Sequence, residues 1–80
     1  MNDDARNNVG RYEYFLLTSA VPIRVAYDQN GHKMGADVPD KEARALVKRA
    51  SYLSVVETSP DIEEITQEEF KRRCARILNA

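Results

Sequence analysis

The sequence predicts a small α+β domain, in which two helices pack on one face of a small mixed or antiparallel sheet. Three observations predict this class: strand-like runs concentrated in the first half, a hairpin signal at residues 28–31, and a capped amphipathic helix at residues 66–78. The predicted order of elements is β-β-β-α-β-(β)-α, where the bracketed strand is very short. A chain of 80 residues is long enough for one such domain and too short for two.

The first ten residues are polar and rich in Asn, which predicts a disordered N-terminal tail and places the folded domain at residues 11–80. Residues 12–18 are dense in aromatic and aliphatic side chains and predict a strand that is covered on both faces. Pro22 ends this run, because proline cannot donate a hydrogen bond to a sheet.

A hairpin follows this break. Ile23, Val25 and Tyr27 alternate with less apolar residues, which is typical of a half-buried strand. The turn at residues 28–31 begins with Asp and ends with Asn-Gly, a pair that tolerates the positive φ of a tight hairpin. Residues 32–36 return as a short strand that Gly35 interrupts, as at a sheet edge or bulge.

The next segment has the features of a helix. An aspartate at position 37 or 40 can cap free amides, and Pro39 is tolerated in a first helical turn. Helical spacing then places four apolar residues on one face, and we predict that the helix ends near residue 50. These residues are Ala43, Leu46, Val47 and Ala50.

Residues 52–56 are rich in Val, Leu and Tyr and predict a second buried strand. A turn at residues 59–61 leads into residues 62–65, which are long enough only for a brief edge strand. The last helix then begins at Thr66, whose hydroxyl can accept from the amide of Glu69 while the Glu69 carboxylate reaches back to the amide of Thr66. Its apolar stripe contains Phe70, Cys74, Ile77 and Leu78.

Composition excludes several classes of site and location. Cys74 is the only cysteine, so the chain cannot form an internal disulfide, and one Cys with one distant His does not make a zinc site. We therefore expect no metal and no cofactor. The N-terminus lacks the apolar core of a signal peptide, and no apolar run approaches the ~20 residues that span a bilayer. With a lone thiol, these features predict a cytoplasmic protein.

His32 and Cys74 are the only pair that could form a nucleophilic dyad, which would make the chain a small Cys-dependent enzyme. Cys74 lies on the apolar stripe, where a free thiol is typically a small core residue. His32 lies in the predicted turn. We therefore expect no catalytic residue, and the enzyme is the least favoured of three hypotheses.

Residues 57–69 contain six acidic residues and no Lys or Arg. Such a segment can bind a divalent cation, form a solvated edge, or dock a basic partner. Its spacing does not match a calcium loop. Four of these acids are not explained by the last helix and are the candidate protein-binding residues: Glu57, Asp61, Glu63 and Glu64.

The basic residues cluster on the two predicted helices and would form a phosphate-binding patch if those helices lie side by side. They are Arg44, Lys48 and Arg49 in the first helix, and Lys71, Arg72 and Arg76, with Arg73, in the second. The aromatic residues do not interleave with them, and the net charge of −1 gives the whole chain no bias towards nucleic acid.

These observations favour a non-catalytic, protein-binding accessory domain, of a kind common among bacterial and phage proteins. It would act through its charged surface or through a dimer formed by its sheet, because a core of this size often needs the support of a partner. The expected partners are a second copy, another protein, or both, and no membrane. The alternative is a nucleic-acid-binding module that uses the basic residues.

Overall fold

A computed structural model describes residues 9–79 and shows a small α+β fold with five strands and two helices. The elements in chain order are β1 Val9–Leu17, β2 Val21–Asp28, β3 Lys33–Asp40, β4 Ala45–Lys48, α1 Ser51–Thr58, β5 Ile62–Ile65 and α2 Gln67–Leu78. The predicted fold class is confirmed, while the predicted order of elements is wrong between residues 37 and 58.

The strands form one open sheet in the order β4-β3-β2-β1-β5. Every neighbouring pair is antiparallel, so the antiparallel form of the two predicted sheets is the one observed. The first four strands make a simple meander, and the chain then crosses the sheet so that β5 pairs with the outer edge of β1. This order leaves β4 and β5 as the two edge strands.

One face of the sheet carries the larger core, and α1 covers it. Ile23 and Val25 of β2 are fully buried there, together with Ala36 of β3. α1 packs onto these residues with its apolar side chains Tyr52, Leu53 and Val56. We call this side of the sheet the α1 face.

The opposite side of the sheet is covered in part by α2, and we call it the α2 face. Tyr14 of β1 lies directly opposite Arg24 of β2, one residue out of phase with the buried Ile23 and Val25. The ring of Phe70 in α2 packs on Tyr14 with 5.0 Å between ring centroids. The prediction that both helices pack on one face is therefore wrong. The central strand β2 buries residues that point in both directions, so each side of the sheet needs a cover.

The hairpin of β2 and β3 confirms the turn prediction. Gly31 adopts a φ of 84°, which glycine tolerates without strain. The Asp28 carboxylate accepts from the amides of His32 and Asn30, and these bonds hold the pKa of Asp28 below its usual value. β3 then continues to Asp40, beyond the predicted end at residue 36.

The predicted helix at residues 37–50 is wrong, although its capping residue behaves as expected. The Asp40 carboxylate accepts from the amides of Glu42 and Ala43, as a helix N-cap would. The turn then stops because Arg44 takes a left-handed conformation with a φ of 55°. The chain reverses into β4, where pairing with β3 satisfies the backbone and sends Leu46 and Val47 to opposite faces.

The predicted strand at residues 52–56 is wrong as well, because this segment forms α1. Valine favours strands only weakly, and packing on the sheet outweighs such a preference. In a helix Tyr52, Leu53 and Val56 lie on one side, since Val56 comes four positions after Tyr52 and three positions after Leu53. That side is the one that covers the core.

The ends of the chain agree with the predictions in part. β5 is the expected brief edge strand. β1 begins at Val9, inside the predicted tail, and residues 1–8 lie outside the described residues. α2 has the predicted cap, since the Thr66 hydroxyl accepts from the Glu69 amide at 3.1 Å. The Glu69 carboxylate accepts from Arg73 and Arg72 instead of from the Thr66 amide. The hydrogen bond from Arg73 is the main reason that the pKa of Glu69 lies below its usual value.

Candidate binding cleft

The α2 face contains an open cleft, because α2 covers only one end of the sheet on that side. The cleft consists of two cavities of about 310 and 280 Å³, and Arg24 lines both of them. We call the cavity farther from α2 the outer cavity and the one beside α2 the inner cavity. Together they extend from β1 across β2 and β3 to β4.

The outer cavity has an apolar floor with charged groups on one side. Its floor is formed by Tyr12, Ala26 and Gly35, which stand side by side on three neighbouring strands. Val9 and Met34 lie at its margins, and Asp37 and Lys48 supply its charged side.

The inner cavity lies between the sheet and α2, and it is lined mainly by apolar side chains. These are Tyr14, Leu46, Phe70, Cys74 and Leu78. Its polar groups are Gln67 and Lys71 of α2, together with Arg24 of β2. An apolar side chain of a ligand would therefore find apolar walls here, with cations beside it.

Arg24 is held in a defined position where the two cavities meet. Its Nε and Nη2 atoms donate to one oxygen, Oδ2 of Asp37, at 3.1 and 2.9 Å. Its guanidinium carbon lies 4.5 Å from the centroid of the Tyr12 ring, a cation–π contact. The Arg24 side chain is 28% exposed, and a guanidinium has five N–H donors, so three remain for a ligand.

The cleft carries a net positive charge. Lys48 stands directly opposite Asp37 on the same face, and Lys71 reaches the cleft from α2. Within residues 9–79, neither lysine has a carboxylate within 4.0 Å. Three cations thus surround a single carboxylate, and the cleft attracts an anionic group.

Two titratable groups between α2 and the sheet, the Tyr14 hydroxyl and the Cys74 thiol, stay neutral at ordinary pH. Burial raises the pKa of the Tyr14 hydroxyl above its usual value, although Arg24 opposes this change. Burial also raises the pKa of the Cys74 thiol, and Arg24 again opposes it. Because the thiolate is the nucleophile, a raised pKa lowers the fraction of Cys74 that can react.

The structure does not join the four acidic candidate residues into a single surface. Glu57 of α1 forms an ion pair with Lys33. Glu63 and Glu64 follow each other in β5 and so point to opposite faces of the sheet. Asp61 precedes β5, and its carbonyl accepts from the amide of Thr18.

The basic candidate residues are divided between several surfaces. Arg44 lies in the turn between β3 and β4, and Arg49 contacts Asp40 beyond the end of β4. Arg72 binds Glu69, and Arg76 is exposed in the last turn of α2. The structure brings only Lys48 and Lys71 of this set to the cleft.

The sequence reasoning missed Arg24, Tyr12 and Asp37 as members of a site. The sequence offers Asp37 only as one of two candidate helix caps, whereas it is a strand residue opposite Arg24. A usable signal existed, since Arg24 is the charged residue in the otherwise apolar run from Val21 to Tyr27. A charge within a buried strand usually has a partner.

His32 and Cys74 lie in different environments. His32 is exposed in the turn between β2 and β3, and its Nδ1 atom is 3.6 Å from Asp28. Cys74 belongs to α2 and is buried, as is Phe70 of the same helix. The interpretation of Cys74 as a core residue agrees with this burial.

The thiol of Cys74 provides a direct test of the enzyme hypothesis. We expect it to react with a thiol reagent in the native protein at least about 100-fold more slowly than in 6 M guanidinium chloride, because it is buried and protonated. Absorbance after mixing with an aromatic disulfide reagent measures both rates. Rapid reaction of the folded protein would show an accessible thiolate and revive the enzyme hypothesis.

No family model, curated protein or solved structure matches this chain. Neither helix within residues 9–79 is long and apolar enough to cross a membrane. In the same part of the chain, no three His, Cys, Asp or Glu side chains come together as a group that would hold a metal ion.

Proposed function

We propose that the protein is a non-catalytic, protein-binding accessory domain, and that its cleft binds an extended segment of a partner protein. The segment has apolar side chains and carboxylates close together in sequence. The observation that carries this proposal is the cleft itself, in which two apolar cavities meet at an immobilised arginine with a lysine on either side. We place this function in the cytoplasm, where a lone cysteine remains reduced.

The dimensions of the cleft support a peptide as the ligand. Pockets that bind small-molecule ligands typically measure ~300–1,000 Å³ and combine apolar walls with a few polar anchors. Each cavity is large enough for one or two side chains, and the two adjoin at Arg24. In an extended segment every second side chain points to the same side. A segment that places one apolar side chain in each cavity can therefore put a carboxylate two residues away from an apolar residue beside Arg24, which is pre-organised by Asp37 and Tyr12.

Nucleic acid is the second candidate, because Arg24, Lys48 and Lys71 also suit phosphate groups. Stacking of bases is less favourable here. The ring of Tyr14 packs against Phe70, and one face of Tyr12 is occupied by Arg24. A single-strand binder needs free aromatic faces beside its cations, so a peptide fits the cleft better.

The proposal is tested by fluorescence anisotropy with labelled nine-residue peptides in which Leu and Glu take turns at every second position, with Ser between them, so that both kinds of side chain face the cleft. A peptide with Lys in place of every Glu is the matched probe. We expect saturable binding of the acidic peptide at low ionic strength and at least tenfold weaker binding of the basic one, a difference of ~1.4 kcal/mol.

Charge reversal then locates the site. We expect the double variant Lys48→Glu/Lys71→Glu to weaken binding of the acidic peptide at least tenfold. The control Lys41→Glu/Arg76→Glu makes the same change in net charge at exposed residues outside the cleft, and it should alter binding less than threefold. Equal losses in both variants, or binding of labelled DNA in the absence of peptide binding, would contradict the proposal.

A further inference from the structure

The edge strand β4 presents unpaired backbone groups beside apolar side chains. The amide of Arg49 donates to the carbonyl of Ala36, which shows that residues 45, 47 and 49 direct their backbone groups towards β3. Those of Leu46 and Lys48 therefore point away from the sheet. The Arg49 side chain donates to the Lys48 carbonyl at 2.9 Å, and that oxygen retains a second lone pair. An edge with outward backbone groups and two half-buried apolar residues, Leu46 and Val47, is a template for another strand, provided that its register keeps Lys48 away from other cations.

The opposite edge, β5, is protected against a second copy by its charge. The Thr18 amide donates to the carbonyl of Asp61, just before β5, at 3.0 Å. By the alternation of the ladder, the backbone groups of residues 61, 63 and 65 therefore point towards β1. Ile62 and Glu64 are left to form the outer bonds. A two-fold pairing of β5 through those residues has three possible registers. They set Glu63 opposite Asp61 of the other copy, Glu63 opposite Glu63, or Glu64 opposite Glu64. Like charges directly opposite each other destabilise a sheet.

We propose that the chain forms a two-fold dimer through antiparallel pairing of β4 with β4 of a second copy, with Val47 opposite Val47. In this register, the outward backbone groups of Leu46 in each copy bond those of Lys48 in the other. The register with Leu46 opposite Leu46 would set Lys48 against Arg44. A shift in the other direction would set Lys48 against Lys48. Charge thus selects the Val47 register, in which a close β-branched pair forms.

The dimer has a consequence for the cleft, and this part of the inference rests on the proposed function. The two-fold axis is perpendicular to the sheet, so the α2 faces of both copies lie on the same side of a ten-stranded sheet. Lys48 lines the outer cavity and Leu46 lines the inner one, and both belong to β4. The two clefts therefore adjoin at the dimer interface, and a longer partner segment or two linked segments can occupy both.

Sedimentation velocity of the full chain without peptide tests the dimer. One short strand pair gives an interface below the standard size and hence weak association, so the protein concentration must extend over about 5–500 μM. Lys48→Pro removes an outward N–H that has no hydrogen-bond partner within residues 9–79, so proline is tolerated at this edge position. We expect it to abolish the dimer. The matched variant Glu64→Pro removes an outward N–H from the other edge and should leave the dimer unchanged. Circular dichroism establishes that both variants remain folded.

Substitutions at the exposed Ala45 test the register without interrupting the backbone. The proposed pairing sets Ala45 opposite Arg49 of the second copy. Ala45 also lies opposite Asp40 of its own sheet, so a basic or neutral residue is accepted there. We expect Ala45→Lys to weaken the dimer about threefold or more relative to Ala45→Gln. A monomer at every concentration, equal loss of the dimer in both proline variants, or the reverse order of the Ala45 variants would overturn the inference. Peptide binding is measured separately, so failure of the dimer leaves the cleft proposal standing.

Discussion

Replacing Phe70 with Ala is expected to destabilise the protein by about 3–5 kcal/mol, the range for deletion of a buried phenyl ring. Phe70 is 4% exposed and joins α2 to the sheet, where its ring packs on Tyr14. Proteins of this kind are stable by only ~5–15 kcal/mol in total, and small domains lie at the lower end. The variant should therefore be partly unfolded at 37 °C.

Urea denaturation followed by circular dichroism measures this effect. Phe70→Leu is the control, since it keeps most of the buried volume and should cost less than ~1.5 kcal/mol. An Ala variant within 1 kcal/mol of the original protein would mean that α2 is not anchored through Phe70, and the position of α2 over the cleft would then be wrong.

Breaking the ion pair of Arg24 and Asp37 is expected to have the second largest effect, a loss of about 2 kcal/mol for Asp37→Ala. The two side chains are 28% and 16% exposed, so the pair lies between a surface pair worth under ~1 kcal/mol and a buried pair whose disruption costs ~3–5 kcal/mol. Removal of Asp37 leaves the Arg24 guanidinium half-buried without its carboxylate.

A double-mutant cycle isolates this interaction. Arg24→Met and Asp37→Ala should each destabilise the protein, and the double variant should lose at least ~1 kcal/mol less than the sum of the two. The exposed pair of Arg11 and Glu13 is the matched comparison, for which we expect a coupling below ~0.5 kcal/mol. Additive losses at Arg24 and Asp37 would show that the pair does not hold the centre of the cleft.

The same pair connects stability with binding. Arg24 is already fixed by Asp37 and Tyr12, so its side chain loses little conformational entropy when it binds a carboxylate of the peptide. This small entropy loss favours affinity. Asp37→Ala should accordingly weaken peptide binding in spite of adding net positive charge to the cleft. The two faces of the sheet thus differ in role, since α1 closes a core on one side while α2 leaves a cleft on the other.

Several features could be predicted from the sequence because short-range signals specify them. The hairpin follows from Asp28, the Asn-Gly pair and the alternation in β2, and it forms as expected. The Thr66 cap and the apolar stripe predict α2 and the burial of Cys74. In each case the deciding signals, a turn or a cap followed by a repeating apolar pattern, lie a few positions apart in sequence, so local physical chemistry specifies the element.

Residues 37–58 could not be predicted in this way, because their local preferences are satisfied by two different structures. Asp40 caps a single turn as well as it caps a helix. Whether the chain then propagates a helix or reverses depends on whether β3 offers a strand partner and on which sheet face needs α1. Both depend on contacts between residues far apart in sequence.

The candidate cleft is also a product of the tertiary structure. The sequence alone determined the class of fold, the hairpin, the last helix and the buried thiol. The strand register alone put Asp37 opposite Arg24 and Lys48 opposite Asp37, and the crossing to β5 placed Lys71 of α2 above the same face. Residues 24, 37, 48 and 71 share no local periodicity. Their proximity arises because the sheet buries β2 from both sides, which assigns one helix to each face and leaves the space beside α2 open.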